Sequence, residues 1–575
     1  MSAEAACQRI SVSSSTRMYG GFKKMSQEVS ILVGGKAGDG INSAGAMVTQ
    51  LLNHLGYHTY MYFDYPSLIR GGHNFVVIRG TDRPVGVHHD PVDFVLALSQ
   101  ETVVRHSSRI KETTETIYNS DLVHSSGQGI SIQSILHDEN APAIMGNSAI
   151  IGGFAKSAGI DWKTVSEVFS AHIPKGVDAN LRVARRAYDH LTTIRPVQPV
   201  GDQRFSLLTG NEAIGLGLVA GGLSAFISYP MTPSSGILHF LAEHAQKFDI
   251  TVVHPENEIA VILMALGFSY AGKRAAVGTS GGGFCLMTEG LSLAGMAEIP
   301  VVLVVSQRTG PSTGLPTYTA QSDLHFVLNA GQGEFPRFVV APGDAEEAYV
   351  WSAHAMNIAT KFQVPAFILS DKTLSEGTYS IDPSHLAKIG VDEPVKWDGT
   401  LPYRRYADNP SGISPLAIPG SKEAVVKVNS YSHDESGITS EEAGAIIQMT
   451  EKRMRKAALL STEMEDYDTV STHGSPGTGT AITYWGSTKG VCGEVADEMG
   501  IMTIQPVVLS PFPVERFRKA MQGVSRLIAV EENATGQLAA LLRLNNISVD
   551  AMVLHYNGRP LTPNILRSRL KEVIA

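Results

Sequence analysis

The sequence predicts a multidomain α/β protein. Three observations carry that prediction: short apolar runs that alternate with helix-like stretches, glycines placed where those runs end, and a length of 575 residues with 56 glycines. Alternating strand and helix signals make layered sheets covered by helices, and glycine lets backbones and ligands approach closely. The length suggests about three or four domains.

Residues 1–27 read as a flexible extension, Ser-rich and without an apolar core, so not a secretory signal. Residues 28–194 open with the strand EVSILVGG, the helix INSAGAMVTQLLNHLG and the strands TYMYF, NFVVIRG and DFVLALS, which predicts a parallel or mixed sheet. Residues 195–205 (RPVQPVGDQ within them) form a linker. Residues 206–375 alternate again, with strands AFISYP, AAVGTS, IPVVLVVSQ, RFVVAP and PAFILS. Residues 376–470 are rich in turn residues and read as a connecting segment that ends in an amphipathic helix, EEAGAIIQMTEKRMRKAALL. Residues 471–575 follow a βαβαβα order, which predicts a doubly wound sheet with IMTIQPVVL as one strand.

Composition narrows the function. Hydrophobic residues make up 43% and charged residues 18%, enough for sizeable cores. A net charge of −9 argues against nucleic-acid binding. The uncharged stretch 213–231 is broken by glycines and prolines and reads as a buried helix plus a strand, so no membrane span is expected. Cys7, Cys285 and Cys492 are far apart, too few for a four-iron cluster and consistent with a reducing, cytoplasmic setting.

Several strand–loop–helix junctions carry candidate chemistry. Gly34-Gly35-Lys36-Ala37-Gly38-Asp39-Gly40 fits either an anion-binding loop or a tight turn, and its Gly-Asp-Gly lacks the paired Asn of a thiamine-enzyme Mg²⁺ site. Gly215, Gly217 and Gly221 suit close helix packing better than dinucleotide binding. Thr232 follows a strand within YPMTPSS and can point its hydroxyl into the crevice beyond the sheet. Glu256 and Glu258 open an apolar helix, where negative charge is favoured. Ser280 and Gly281 begin the loop after AAVGT, and Arg308 leaves the end of a strand with a planar fork suited to a carboxylate.

In this order YPMTPSS, ENEIA, GTSGGGF…TEGLSLAGMAEIP and QRTGPSTGLPT resemble the alpha subunits of 2-oxoacid:ferredoxin oxidoreductases. GGKAGDG and DYPSLIRGGH resemble the family's gamma domain fused ahead of alpha; GISPLAIPG, SHDESG and EKRMRK resemble its connecting segment; the last region resembles its transketolase C-terminal-like domain. The resemblance implies a thiamine-diphosphate pyrimidine-binding domain over residues 206–375, with the diphosphate, Mg²⁺ and a [4Fe-4S] cluster held by a beta subunit. It implies that Glu258, with Glu256 as runner-up, bonds the aminopyrimidine ring, that Ser280 and Gly281 contact the cofactor, and that Thr232 and Arg308 bind the 2-oxoacid carboxylate. Coenzyme A and ferredoxin are the implied co-substrates, and a dimer of alpha–beta heterodimers the implied assembly. The fusion and the form QRTGPSTGLPT resemble the 2-oxoglutarate members most; pyruvate or a branched-chain 2-oxoacid is the alternative substrate, and a non-enzymatic scaffold or a non-oxidative thiamine enzyme the alternative function. Gly236 and Gly282 depart from the family pattern, which has an acid and a proline there.

Overall fold

Every residue of the strand Val301–Gln307 is buried, which is what a parallel strand covered by helices on both faces requires. It is the middle of the central sheet of the computed structural model, which describes residues 27–67, 72–474, 477 and 479–574. The expected N-terminal extension up to residue 26, with Cys7, and residues 68–71 of DYPSLIRGGH lie outside the described residues.

The central sheet has seven strands in the order Val508–Ser510, Phe338–Val340, Pro365–Asp371, Val301–Gln307, Ala275–Thr279, Ala225–Ser228 and Thr251–Val253. All neighbours are parallel except the Val508–Ser510 edge. From Ala225–Ser228 the chain runs to one neighbour, Thr251–Val253, and then to the other, Ala275–Thr279. Such a reversal opens a crevice at the carboxyl ends of the strands. The helix Gly210–Ala220 is started by a reciprocal capping box between Thr209 and Glu212. It packs so closely on the helix Ala345–Phe362 that a Cβ on Gly217 would stand 2.2 Å from the Tyr349 carbonyl oxygen. The glycines of this stretch therefore serve helix packing.

The first sheet is mixed and has eight strands, in the order Gln128–Ile130, Ile110–Asn119, Val92–Ala97, Glu28–Lys36, His73–Thr81, His58–Asp64, Thr378–Ile381 and Ser206–Thr209. Its last two strands flank the central region in sequence, so the first and central regions share one sheet. The third sheet contains Val470–His473, Met502–Pro506, Gly479–Thr483, Val524–Glu531 and Ala551–Leu554, all parallel apart from the first. The single strand expected from IMTIQPVVL is instead two. Met502–Pro506 stays in the third sheet, and Val508–Ser510 crosses to pair antiparallel with Phe338–Val340. The break falls at Val507, whose N–H bonds the Thr469 carbonyl and whose carbonyl accepts from Ala341 N–H.

Between residues 386 and 442 the chain has no helix or strand beyond isolated bridges. It is fastened at a buried ion cluster. Glu298, just past the end of the helix Gly281–Ala297, bonds Lys452 Nζ at 2.8 and 2.9 Å and also Lys456 Nζ, while Arg405 donates to the Glu298 carbonyl at 2.7 Å. Burial opposes the Glu298 charge, but the Lys456 and Lys452 ammoniums hold its carboxyl well below the ordinary range. Removing one partner from so buried a cluster costs about 3–5 kcal/mol.

Candidate active site

Four strand ends of the central sheet converge on the crevice. After Ala225–Ser228 comes Thr232, half-buried; after Thr251–Val253 comes the helix that starts at Glu258; after Ala275–Thr279 come Ser280 and Gly281; after Val301–Gln307 comes Arg308. The structure links two of these directly: Arg308 Nη1 donates to the Thr232 carbonyl at 2.9 Å.

Glu258 and Glu256 separate sharply. Glu256 is exposed and lies 3.5 Å from the Asn257 amide. Glu258 is 4% exposed at the first position of the helix Glu258–Tyr270, which Asn257 caps by accepting from Ala260 N–H at 3.0 Å. Among the described residues the Glu258 carboxylate has no hydrogen-bond or ion-pair partner. It lies against the second glycine-rich turn: a Cβ on Gly283 would stand 2.7 Å from Glu258 Oε1 and 2.2 Å from Thr279 Oγ1. A buried carboxylate without a partner is costly in an apolar setting, and a helix N-terminus offsets only part of that cost. It is what a site awaiting a hydrogen-bonding ligand looks like.

The 280–283 turn shares this character. Ser280 is fully buried and among the described residues its Oγ has no partner, although it stands at the N-cap of the 17-residue helix Gly281–Ala297. That helix has no acidic residue in its first turn. Its leading N–H groups and positive dipole end are therefore offset by no acid of the helix's own first turn. Arg308 Nε is likewise buried without a partner among the described residues, and burial lowers the guanidinium pKa against the pull of Asp323.

Asp323 is a site residue that the sequence reading missed. Its carboxylate packs on Gly281, where a Cβ would stand 2.3 Å from Oδ2. Its backbone N–H donates to Gln307 Oε1 at 2.9 Å, and the Gln307 amide in turn bonds the Ser370 carbonyl at 3.0 Å. Burial pushes its carboxyl up to about 6, against the pull of Arg308. The available signal was a lone acid before a six-residue helix, which resembles an ordinary helix start.

An open cleft of ≈ 660 Å³ reaches Thr232 from the seam between the first and central regions, past Asn42, Tyr65, Asn211 and Glu376. The 34–40 loop, by contrast, is a self-satisfied turn. Asp39 Oδ2 accepts from Lys36 N–H at 2.7 Å, Ala37 N–H bonds the Gly72 carbonyl, and Asp39 N–H bonds the Lys36 carbonyl. Loop 309–319 is pinned from the third region: Thr319 N–H bonds the Gly558 carbonyl at 3.2 Å, and Arg559 lies over the Tyr318 ring at 3.8 Å.

Two family models match the chain. "Pyruvate flavodoxin/ferredoxin oxidoreductase, thiamine diP-bdg" covers residues 217–452, and "Pyruvate ferredoxin/flavodoxin oxidoreductase" covers residues 30–190. A Sulfolobus 2-oxoacid:ferredoxin oxidoreductase subunit alpha is 30% identical, covering 95% of this chain and 97% of its own length. A 2-oxoglutarate oxidoreductase subunit KorA from Mycobacterium tuberculosis is 31% identical over 60% of this chain and 53% of its own length. A solved structure of 2-oxoglutarate:ferredoxin oxidoreductase from Magnetococcus marinus, with 2-oxoglutarate, coenzyme A and succinyl-CoA bound, superposes with a TM-score of 0.87 at 28% identity, covering 96% of this chain and all of that one.

Proposed function

This chain belongs to the family of 2-oxoacid:ferredoxin oxidoreductase alpha subunits, and from that premise we propose that it is the substrate-facing subunit of a 2-oxoglutarate:ferredoxin oxidoreductase. The reaction is 2-oxoglutarate plus coenzyme A plus two oxidised ferredoxins giving succinyl-CoA, CO₂, a proton and two reduced ferredoxins, and it is reversible. The observation that carries the reading is a set at the crevice without partners among the described residues: the buried Ser280 Oγ and Arg308 Nε, and the carboxylate of Glu258, a residue 4% exposed.

These residues suit the pyrimidine half of thiamine diphosphate. When bound, that cofactor supplies the nucleophilic carbon and the electron sink for decarboxylation. Glu258 would hydrogen-bond the ring nitrogen of the aminopyrimidine, a role that its burial and lack of other partners among the described residues favour. Ser280 and Gly281 contact the cofactor from the helix start. Arg308 and Thr232 hold the substrate carboxylate: the guanidinium is already oriented by the Thr232 carbonyl, and a fixed carboxylate aligns the neighbouring carbonyl for attack.

The partner reading rests on surface and composition. Ile259, Leu263, Met264 and Leu286, 41–50% exposed, stand on the two helices that carry Glu258 and Gly281. Apolar groups so close to a site mark an interface. The three cysteines leave an iron–sulfur cluster to another chain. A beta subunit thus completes the site with the diphosphate, Mg²⁺ and a [4Fe-4S] cluster, in a cytoplasmic dimer of alpha–beta heterodimers. No helix among the described residues is long and apolar enough to cross a membrane. The names of the Mycobacterium and Magnetococcus relatives support 2-oxoglutarate as the substrate.

The test is reconstitution with the beta subunit and assay of coenzyme-A-dependent ferredoxin or viologen reduction by 2-oxoglutarate, pyruvate and 2-oxoisovalerate. The 2-oxoglutarate rate should dominate. A larger pyruvate rate overturns the substrate, and no thiamine-dependent turnover with any partner returns the scaffold reading.

A further inference from the structure

Resting on the reading that Arg308 holds the 2-oxoacid carboxylate, we propose that Asp323 is a positioning residue that acts as a titrating counter-charge, so that a 2-oxoacid binds Arg308 together with one proton taken up by Asp323. Three features of the geometry support this. The Asp323 carboxylate is seated on Gly281 at the start of the site helix, a position that only glycine leaves open. Its backbone is tied to Gln307, the residue before Arg308, so the two charged groups hang from one buried amide. Yet they form no ion pair, and among the described residues the Asp323 carboxylate accepts no hydrogen bond. A carboxylate poised this way is free to change its charge when the site fills.

The surroundings of Asp323 are otherwise nearly uncharged. The strand end contributes Arg308. The helix Gly281–Ala297 contributes Gly281, with Glu258 lying beyond it at Gly283. The helix Gln537–Leu544 contributes the neutral Gln537, which donates to the Ser322 carbonyl at 2.7 Å. His325, two residues along, directs its ring to the Gln537 carbonyl at 3.1 Å.

With Asp323 ionised, the Arg308–Asp323 pair has no net charge and attracts an anion weakly. With Asp323 protonated, the pair is a cation. Burial already pushes the Asp323 carboxyl up to about 6, and a second carboxylate arriving on Arg308 pushes it further in the same direction. Binding and protonation are therefore linked. When the substrate carboxylate departs as CO₂, the anion leaves Arg308 and the proton leaves Asp323. The pair holds the carboxylate for orientation without holding it so tightly that its loss is opposed.

The experiment measures binding of oxamate, an unreactive 2-oxoacid mimic, to the reconstituted alpha–beta complex by calorimetry between pH 5.5 and 7.5. Two buffers of different ionisation enthalpy count the protons. Wild-type affinity should weaken about tenfold across that range, with proton uptake on binding. Asp323→Asn, which keeps shape and leaves His325 in place, should bind more tightly at pH 7.5, with a flat profile and no uptake; KM for the oxoacid should fall with it, while kcat does not rise. A wild-type complex that takes up no proton overturns the inference without any variant, and so does an Asp323→Asn profile identical to wild type. Unchanged oxamate affinity in Arg308→Ala overturns the underlying reading of Arg308, separately from the inference.

Discussion

Two loops in this molecule look alike in sequence and differ in what they leave unsatisfied. Residues 34–40 and 280–283 each lie where a buried strand gives way to a helix, and both are rich in glycine. In the first, the Asp39 carboxylate and nearby carbonyls take up the N–H groups of Lys36, Ala37 and Asp39. In the second, Ser280 Oγ is buried and idle, and among the described residues the carboxylate of buried Glu258 beside it has no partner either. A glycine-rich turn is a ligand site when its polar groups are left over after folding, because folding alone does not tolerate unpaired buried polar groups.

That contrast can be broken by substitution, assayed on the reconstituted complex. Glu258→Gln should have the largest effect, lowering turnover about 1000-fold with an unchanged circular dichroism spectrum, since a neutral amide cannot hold the proton. Turnover within a few-fold of wild type would remove Glu258 from the chemistry. Arg308→Ala should lower kcat/KM for the oxoacid about 100-fold by releasing the carboxylate; a purely structural residue would instead lower the melting temperature and spare KM. Gly283→Ala forces a methyl into the space held by Glu258 Oε1 and Thr279 Oγ1, so about tenfold loss of turnover with about 1–3 kcal/mol of destabilisation is expected in denaturant unfolding. The smallest effect belongs to the other loop. Asp39→Ala should cost about 1 kcal/mol of stability by orphaning Lys36 N–H while turnover stays within about twofold. A large activity loss there would erase the distinction between the two turns.

Much of this architecture is legible in the sequence because its signals are local. The strands of the central sheet are continuous apolar runs, and the helices between them start at recognisable caps such as Asn257 and Asp344. Glu258 is preferred to Glu256 in the sequence because its motif resembles the family's, and only the folded chain reports that Glu258 is buried and Glu256 exposed. What the sequence hides is non-local. Ser206–Thr209 and Thr378–Ile381 are four-residue strands whose partners lie in another region, and no periodicity reports such a pairing. The division of IMTIQPVVL at Val507 depends on the Thr469 and Ala341 backbones, which only the folded chain brings near. Asp323 was hidden for the same reason: its importance comes from Gly281 and Gln307, distant in the chain and adjacent in space.

Because Val508–Ser510 closes the edge of the central sheet while Met502–Pro506 remains in the third, modularity stops at the level of sequence. The site-bearing region is not a cassette. Excising it at residue 375 would expose Phe338–Val340 as a bare apolar edge and strip Thr378–Ile381 from the seam with the first sheet. Engineering that swaps specificity between relatives is therefore better done by exchanging loops at the strand ends than by exchanging whole regions.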